Sequence, residues 1–193
     1  MSEPTSVVIA EDESIIRLDL KELLEEEGYE VVGETGRGDE AIELVRQLEP
    51  DLVILDIKMP GLDGLSAARH ISGERLAAVL VLTAFSQRDL VEQARDAGAL
   101  AYLVKPFQRS DLIPAIEMAI GRHRDMVSAE RSAGDLAERL AARKLIDRAK
   151  GTLMDEHNLS EKDAWRFLQT SAMNERARVE QVAQRVIDGE LSP

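Results

Sequence analysis

Five residues of this 193-residue chain carry side chains suited to phosphate chemistry, and each closes or follows a short apolar run. Glu11 and Asp12 follow Val7-Val8-Ile9-Ala10. Asp56 ends Leu52-Val53-Ile54-Leu55, Thr83 follows Val79-Leu80-Val81-Leu82, and Lys105 follows Ala101-Tyr102-Leu103-Val104. Three carboxylates gathered at one place repel one another wherever water is partly excluded. A hard divalent cation relieves that repulsion. Oxygen donors without cysteine favour Mg²⁺ over zinc, and His70, His123 and His157 are too scattered to form a ligand set. The Lys105 ammonium could hold phosphoryl oxygens as a point charge, and the Thr83 hydroxyl could donate to the same group. Such an ensemble suits moving a phosphoryl group onto the Asp56 carboxylate, with cation and lysine neutralising the transition state. Singly, each residue has a plainer explanation. Glu11 and Asp12 could cap the first helix, Asp56 and Lys105-Pro106 could be turn residues, and Thr83 could be core. Their joint placement is what argues for chemistry.

Five strands must bring these residues together. The four runs above are continuous rather than alternating, as in strands buried on both faces; Val31-Val32 is weaker and reads as an edge. Amphipathic stretches lie between them. Ile16, Leu20, Leu23 and Leu24 precede Gly28, and Ala41, Ile42, Leu44, Val45 and Leu48 precede Pro50. Leu90, Val91, Ala94 and Ala97 precede Gly98, and Ile113, Ile116 and Ile120 begin a fifth helix. This alternation implies an α/β fold, a doubly wound five-stranded parallel sheet. In order 2-1-3-4-5, strands 1, 3, 4 and 5 lie side by side, and ligands bind beyond their carboxyl ends.

After Gly121 only helical patterns remain. Met126, Ala129, Ala133, Leu136 and Leu140 step by 3, 4, 3 and 4 residues, a short seam within a helical linker. It could pair with a second chain or stand as a solvent-exposed extension. Three helices are expected next, the first from about Arg143 to Glu156. The second follows a Ser160 cap, with Glu161 and Asp163 in its first turn, and the third carries Val179, Val182, Ala183, Val186 and Ile187. The division expected is residues 5–122 for the α/β domain, 123–142 for the linker, and 143–190 for an all-α output domain.

Net charge is −13, which argues against polyanion binding by the molecule as a whole. Most of the excess lies in residues 1–124, with 24 acidic to 13 basic, whereas 143–185 hold 9 basic to 7 acidic. The absence of cysteine excludes disulfides and thiolate chemistry. No apolar run is long enough to span a membrane, and Met1–Ser6 lacks the pattern of a signal peptide, so a cytoplasmic protein without membrane contact is expected.

Residues 7–120 resemble a two-component receiver domain, of flavodoxin-like fold. The likeness rests on Val8-Ile9-Ala10-Glu11-Asp12-Glu13, on Asp51 through Asp56-Ile57-Lys58-Met59-Pro60-Gly61 to Gly64, on Leu82-Thr83-Ala84, and on Ala101 through Lys105-Pro106-Phe107. It implies that Asp56 is phosphorylated from a sensor histidine kinase. It also implies that Asp12, Asp56 and the backbone carbonyl of Lys58 bind Mg²⁺, with Glu11 acting through water. A cis Lys105–Pro106 peptide is implied too, as is a switch in which the Thr83 hydroxyl moves to phosphate and the Tyr102 ring turns inward. Glu11 stands where many members have aspartate.

The stretches Leu145 to Met154, Ser160 to Leu168 and Ser171 to Ala183 resemble the ANTAR domain, an RNA-binding module of antitermination regulators. That likeness implies a hairpin RNA partner and dimers on activation. Arg148, Lys150, Arg176 and Arg178 are candidate RNA contacts. Gly151, costly inside a helix, suggests either close helix packing or close approach of RNA. Trp165 and Phe167 could stack on bases, but filling a small core is the expectation. Two other outputs compete, DNA binding and protein docking; no helix-turn-helix and no strong basic stripe support the first. A phosphatase of the haloacid dehalogenase type resembles a nucleophile followed two residues later by aspartate. Lys58 stands there instead, so a phosphoacceptor rather than an enzyme is expected.

Overall fold

The computed structural model describes residues 4–84 and 88–193. It divides into two units between Ser128 and Ala129, a boundary inside the long helix α5. The first unit alternates β1 (Ser6–Ala10), α1 (Ser14–Glu26), β2 (Glu30–Thr35), α2 (Gly38–Leu48), β3 (Leu52–Asp56), α3 (Gly64–Gly73), β4 (Ala78–Thr83), α4 (Arg88–Asp96) and β5 (Ala101–Val104). Helix α5 (Arg109–His157) then leads to α6 (Glu161–Glu175) and α7 (Val179–Ile187).

The five strands form one parallel sheet in the order β2-β1-β3-β4-β5, as the alternation of elements requires. Successive side chains point to opposite faces, so each central strand feeds two cores. Val8, Val53, Leu55, Val79 and Val81 pack with Ala41, Val45, Ala68 and Ile71 of α2 and α3. Val7, Ile9, Leu52, Ile54, Leu80 and Leu82 pack with Leu20 and Leu24 of α1 and Leu112 and Ile116 of α5. Strands β3 and β4 are buried throughout, and each fully buried Leu or Ile contributes about 1.5–3 kcal/mol.

Two expectations change. Strand β5 is not buried on both faces: it ends the sheet, opposite β2, and Tyr102 is 48% exposed. Helix α3, which the alternation of elements requires, buries Leu65, Ala67, Ala68 and Ile71 and starts at an N-cap, the Asp63 carboxylate accepting from the Ser66 N–H at 2.8 Å. No helix begins near Arg143, because α5 runs unbroken for 49 residues. Gly121 and Gly134 lie within it and lower its propensity without ending it.

In the second unit Ala149, Leu153, Ala164, Leu168, Ala172, Val182, Ala183 and Val186 make the core. The Ser160 hydroxyl caps α6, accepting from the Asp163 N–H at 3.2 Å. The expectation that aromatic bulk fills this bundle fails for Trp165, which is 38% exposed, while Phe167 packs only partly against the core. Four alanines let the helices approach closely, so little volume remains to fill. Among the described residues, no helix is long and apolar enough to cross a membrane.

Candidate functional site

The sheet register sets the carboxyl ends of four strands at one level. Ala10 pairs with Leu55, Asp56 with Leu82, and Thr83 with Val104. Glu11, Asp56, Thr83 and Lys105 therefore meet at one end of the sheet, as their positions after the apolar runs predict. Asp12, Asp56, Lys58, Thr83 and Lys105 line one open pocket there.

Glu11, Asp56 and Thr83 are buried, whereas Asp12 stands exposed at the rim. One carboxylate oxygen from each of Glu11, Asp12 and Asp56 lies within 4.8 Å of the others. Neither Glu11 nor Asp12 caps α1, whose N-cap is Glu13 with no side-chain capping bond. Glu11 Oε1 does accept from the Glu13 N–H at 3.3 Å, which leaves Oε2 to meet Lys105. The Lys105 ammonium is bound between the buried acids, 2.5 Å from Glu11 Oε2 and 2.6 Å from Asp56 Oδ1. The Lys58 N–H donates to Asp56 Oδ2 at 2.7 Å, so both Asp56 oxygens hold a partner. The Lys105–Pro106 peptide is cis.

Burial, and then the charge of Asp56, push the Glu11 carboxyl above its ordinary range, although the hydrogen bond from Lys105 opposes this. Burial works against the Lys105 ammonium, but its hydrogen bonds to Asp56 and Glu11 prevail and hold its pKa above the usual lysine value. One ammonium thus faces three carboxylates. That all-oxygen, charge-deficient cluster fits a hard divalent cation such as Mg²⁺.

Two supporting roles escaped the sequence reading. Arg17 Nη1 donates to the Glu11 backbone carbonyl at 2.5 Å and fixes the turn after β1; a basic residue six positions past an acid pair carries no motif. A side chain at Gly64 would overlap the Asp56 carbonyl oxygen and crowd Ile57, so only glycine lets α3 start against the end of β3.

The candidate residues of the second unit separate. Lys150 is tied down by Glu161 at 2.8 Å and Asp147 at 3.0 Å, joining α5 to α6. Arg178 lies 3.9 Å from Glu138, with both side chains largely exposed. Arg148 and Arg176 are exposed, and Arg176 forms the left-handed C-cap of α6. At Gly151 an added Cβ would meet nothing within 4 Å, so helix packing does not require the glycine. Tyr102 points outward on the edge strand.

Two family models match the chain: the response regulator receiver domain over residues 7–117 and the ANTAR domain over 134–187. A transcriptional regulatory protein of Mycobacterium tuberculosis, PdtaR, is 56% identical over 185 residues, covering 96% of this chain and 90% of that one. The chemotaxis protein CheY of Thermotoga maritima is 39% identical over 111 residues, covering 57% of this chain and 92% of its own. Among solved structures, the receiver domain of a sensor histidine kinase from Pseudomonas aeruginosa superposes with a TM-score of 0.56 at 29% identity. It covers 61% of this chain and 98% of that one, and it holds a magnesium ion in its active-site cleft.

Proposed function

The chain belongs to the two-component response regulators, with a receiver domain and an RNA-binding ANTAR output, and from that premise we propose that Asp56 accepts phosphate to control RNA binding in transcription antitermination. One observation carries the reading: Lys105 bridges Glu11 and Asp56 where three carboxylates converge at the ends of adjacent strands.

The partner is a histidine kinase whose phosphohistidine presents phosphorus to the pocket. An Asp56 carboxylate oxygen attacks, the N–P bond breaks, and an acyl phosphate forms. Lys105 is already at hydrogen-bond distance from Asp56, so it can transfer its contact to a phosphoryl oxygen as charge builds there. The Lys58 N–H holds the other Asp56 oxygen and orients the carboxylate. Asp12, Asp56 and the Lys58 carbonyl would hold Mg²⁺, with Glu11 acting through water; when bound, the ion supplies the positive charge that lets anionic carboxylate and phosphate approach. The chain is an acceptor rather than a turnover catalyst.

Buried Thr83 and outward Tyr102 form the switch. The hydroxyl moves to the phosphoryl group and vacates space, and the ring turns inward. Leu136 and Leu140, 68% and 53% exposed on α5, offer a seam for a second copy. Pairing two RNA-contacting bundles raises avidity without new contacts.

The test combines a phosphorylated histidine kinase, the full chain with Mg²⁺, and hairpin RNA. Wild type should take up label and bind RNA more tightly. Asp56→Asn should do neither. Equal labelling of both would place the acceptor elsewhere, and RNA binding indifferent to phosphorylation would remove the coupling.

A further inference from the structure

We propose that Trp165 is a stacking platform for an unpaired base of the RNA, an assignment that rests on the RNA-binding output above. The placement of this indole is hard to explain by folding. The buried stripe of α6 is Ala164, Leu168 and Ala172, at helical spacing. Trp165 lies one residue off that stripe, 38% exposed, and takes no part in the core of the second unit. It is also the chain's single tryptophan. A large apolar ring left partly in water, beside a core closed by alanine, leucine and valine, forgoes part of its burial energy.

The surroundings identify the occupant. Trp165 lines a surface groove of about 700 Å³ with Ile146, Arg139, Arg143 and Lys162. Acidic Asp147, Glu161 and Glu180 also border it, and the first two are bound by Lys150. Arg143 is 83% exposed and lies 3.9 Å from Asp147, a loose contact. The groove thus offers an aromatic face with Arg139, Arg143 and Lys162 projecting around it, and its basic residues exceed its acidic ones by one, with Glu180 the acid that Lys150 does not hold. Single-stranded bases stack on aromatic rings while basic side chains follow the adjoining phosphates. A continuous duplex exposes no base face, so the site selects loop or otherwise unpaired nucleotides.

The lone tryptophan makes the test direct. Hairpins are selected on the full chain, with Mg²⁺ and acetyl phosphate, from RNA with a common stem and a randomised loop. The selected hairpins should quench Trp165 emission, whereas the stem alone as a blunt duplex should not. Trp165→Ala should weaken binding roughly tenfold, Trp165→Phe should restore most of it, and both should keep the wild-type circular dichroism. Quenching does not depend on how the alanine variant folds. If wild type selects no hairpin, the RNA output falls and this site with it. If it selects hairpins that leave the emission unmoved and bind Trp165→Ala equally, the stacking site alone is overturned and the groove passes to a protein partner.

Discussion

Lys105 Nζ lies 2.6 Å from Asp56 Oδ1, so the proposed acceptor carries a fixed counter-charge before any phosphate arrives. The same ammonium serves Glu11. Removing it in Lys105→Met should leave two buried carboxylates facing each other. Loss of one partner of such an arrangement costs about 3–5 kcal/mol, and the 13% exposure of Lys105 places this site toward the lower end. The expected result is a lower denaturation midpoint, partly restored by Mg²⁺, with phosphate uptake strongly reduced even at saturating Mg²⁺. Stability that ignores Mg²⁺ in the variant would show that the three carboxylates do not act as one cation site.

Gly64 should tolerate no side chain. Its missing Cβ is the space occupied by the Asp56 carbonyl, a backbone atom in a strand buried throughout. Gly64→Ala must shift the start of α3 or the end of β3, and overpacking of this kind typically costs about 1–3 kcal/mol. Because the displaced group is the acceptor itself, phosphorylation should fall further than stability alone explains. Labelling rates normalised to the folded fraction check this.

The Tyr29 phenol donates to Glu117 at 2.9 Å, joining the turn before β2 to α5. Burial, then that hydrogen bond and the glutamate charge, push its pKa up to about 12. The folded state therefore holds the phenolic proton more tightly than the unfolded chain. This contribution is complete below the ordinary value of 10.0 and is lost as pH rises toward about 12. Denaturation midpoints of wild type and Tyr29→Phe should differ below pH 10 and converge across that window. A constant difference across it would show that the bond does not govern the titration.

The sheet order and the convergence of Glu11, Asp56, Thr83 and Lys105 were legible because continuous apolar runs mark buried parallel strands, and ligand sites gather at their carboxyl ends. The run Ala101 to Val104 read as buried on both faces because it is continuous, although the order 2-1-3-4-5 already sets strand 5 at an edge, where Tyr102 is exposed. Helix α3 was implied by the alternation of strands and helices, but its starting point, fixed by the Asp63 cap, was not read. Arg17 and Gly64 act through backbone atoms of other elements, and one chain's sequence does not record those distances. Trp165 was expected in the core on size alone, whereas close approach through Ala149, Ala164, Ala172 and Ala183 decides what the core can accept.

Gly151 separates folding from recognition in the output unit. An alanine there meets open space, so helix propensity is the only folding effect, and Gly151→Ala should stabilise the unit by about 1 kcal/mol. A backbone that must come close to RNA would be held off by the added methyl, so affinity should fall while stability rises. Opposite movement of the two quantities is the signature, because a purely structural glycine moves both together or neither. The charged candidates sort by the same logic. Exposed Arg148 and Arg176 should each lower the salt slope of RNA binding by about one when changed to alanine. Lys150→Ala should instead lower stability and leave that slope unchanged, because its ammonium already holds Asp147 and Glu161. Binding isotherms over a salt series, beside thermal melts of the same proteins, measure both. A Lys150 slope change as large as that of either arginine would show that the ion pairs open to meet the RNA.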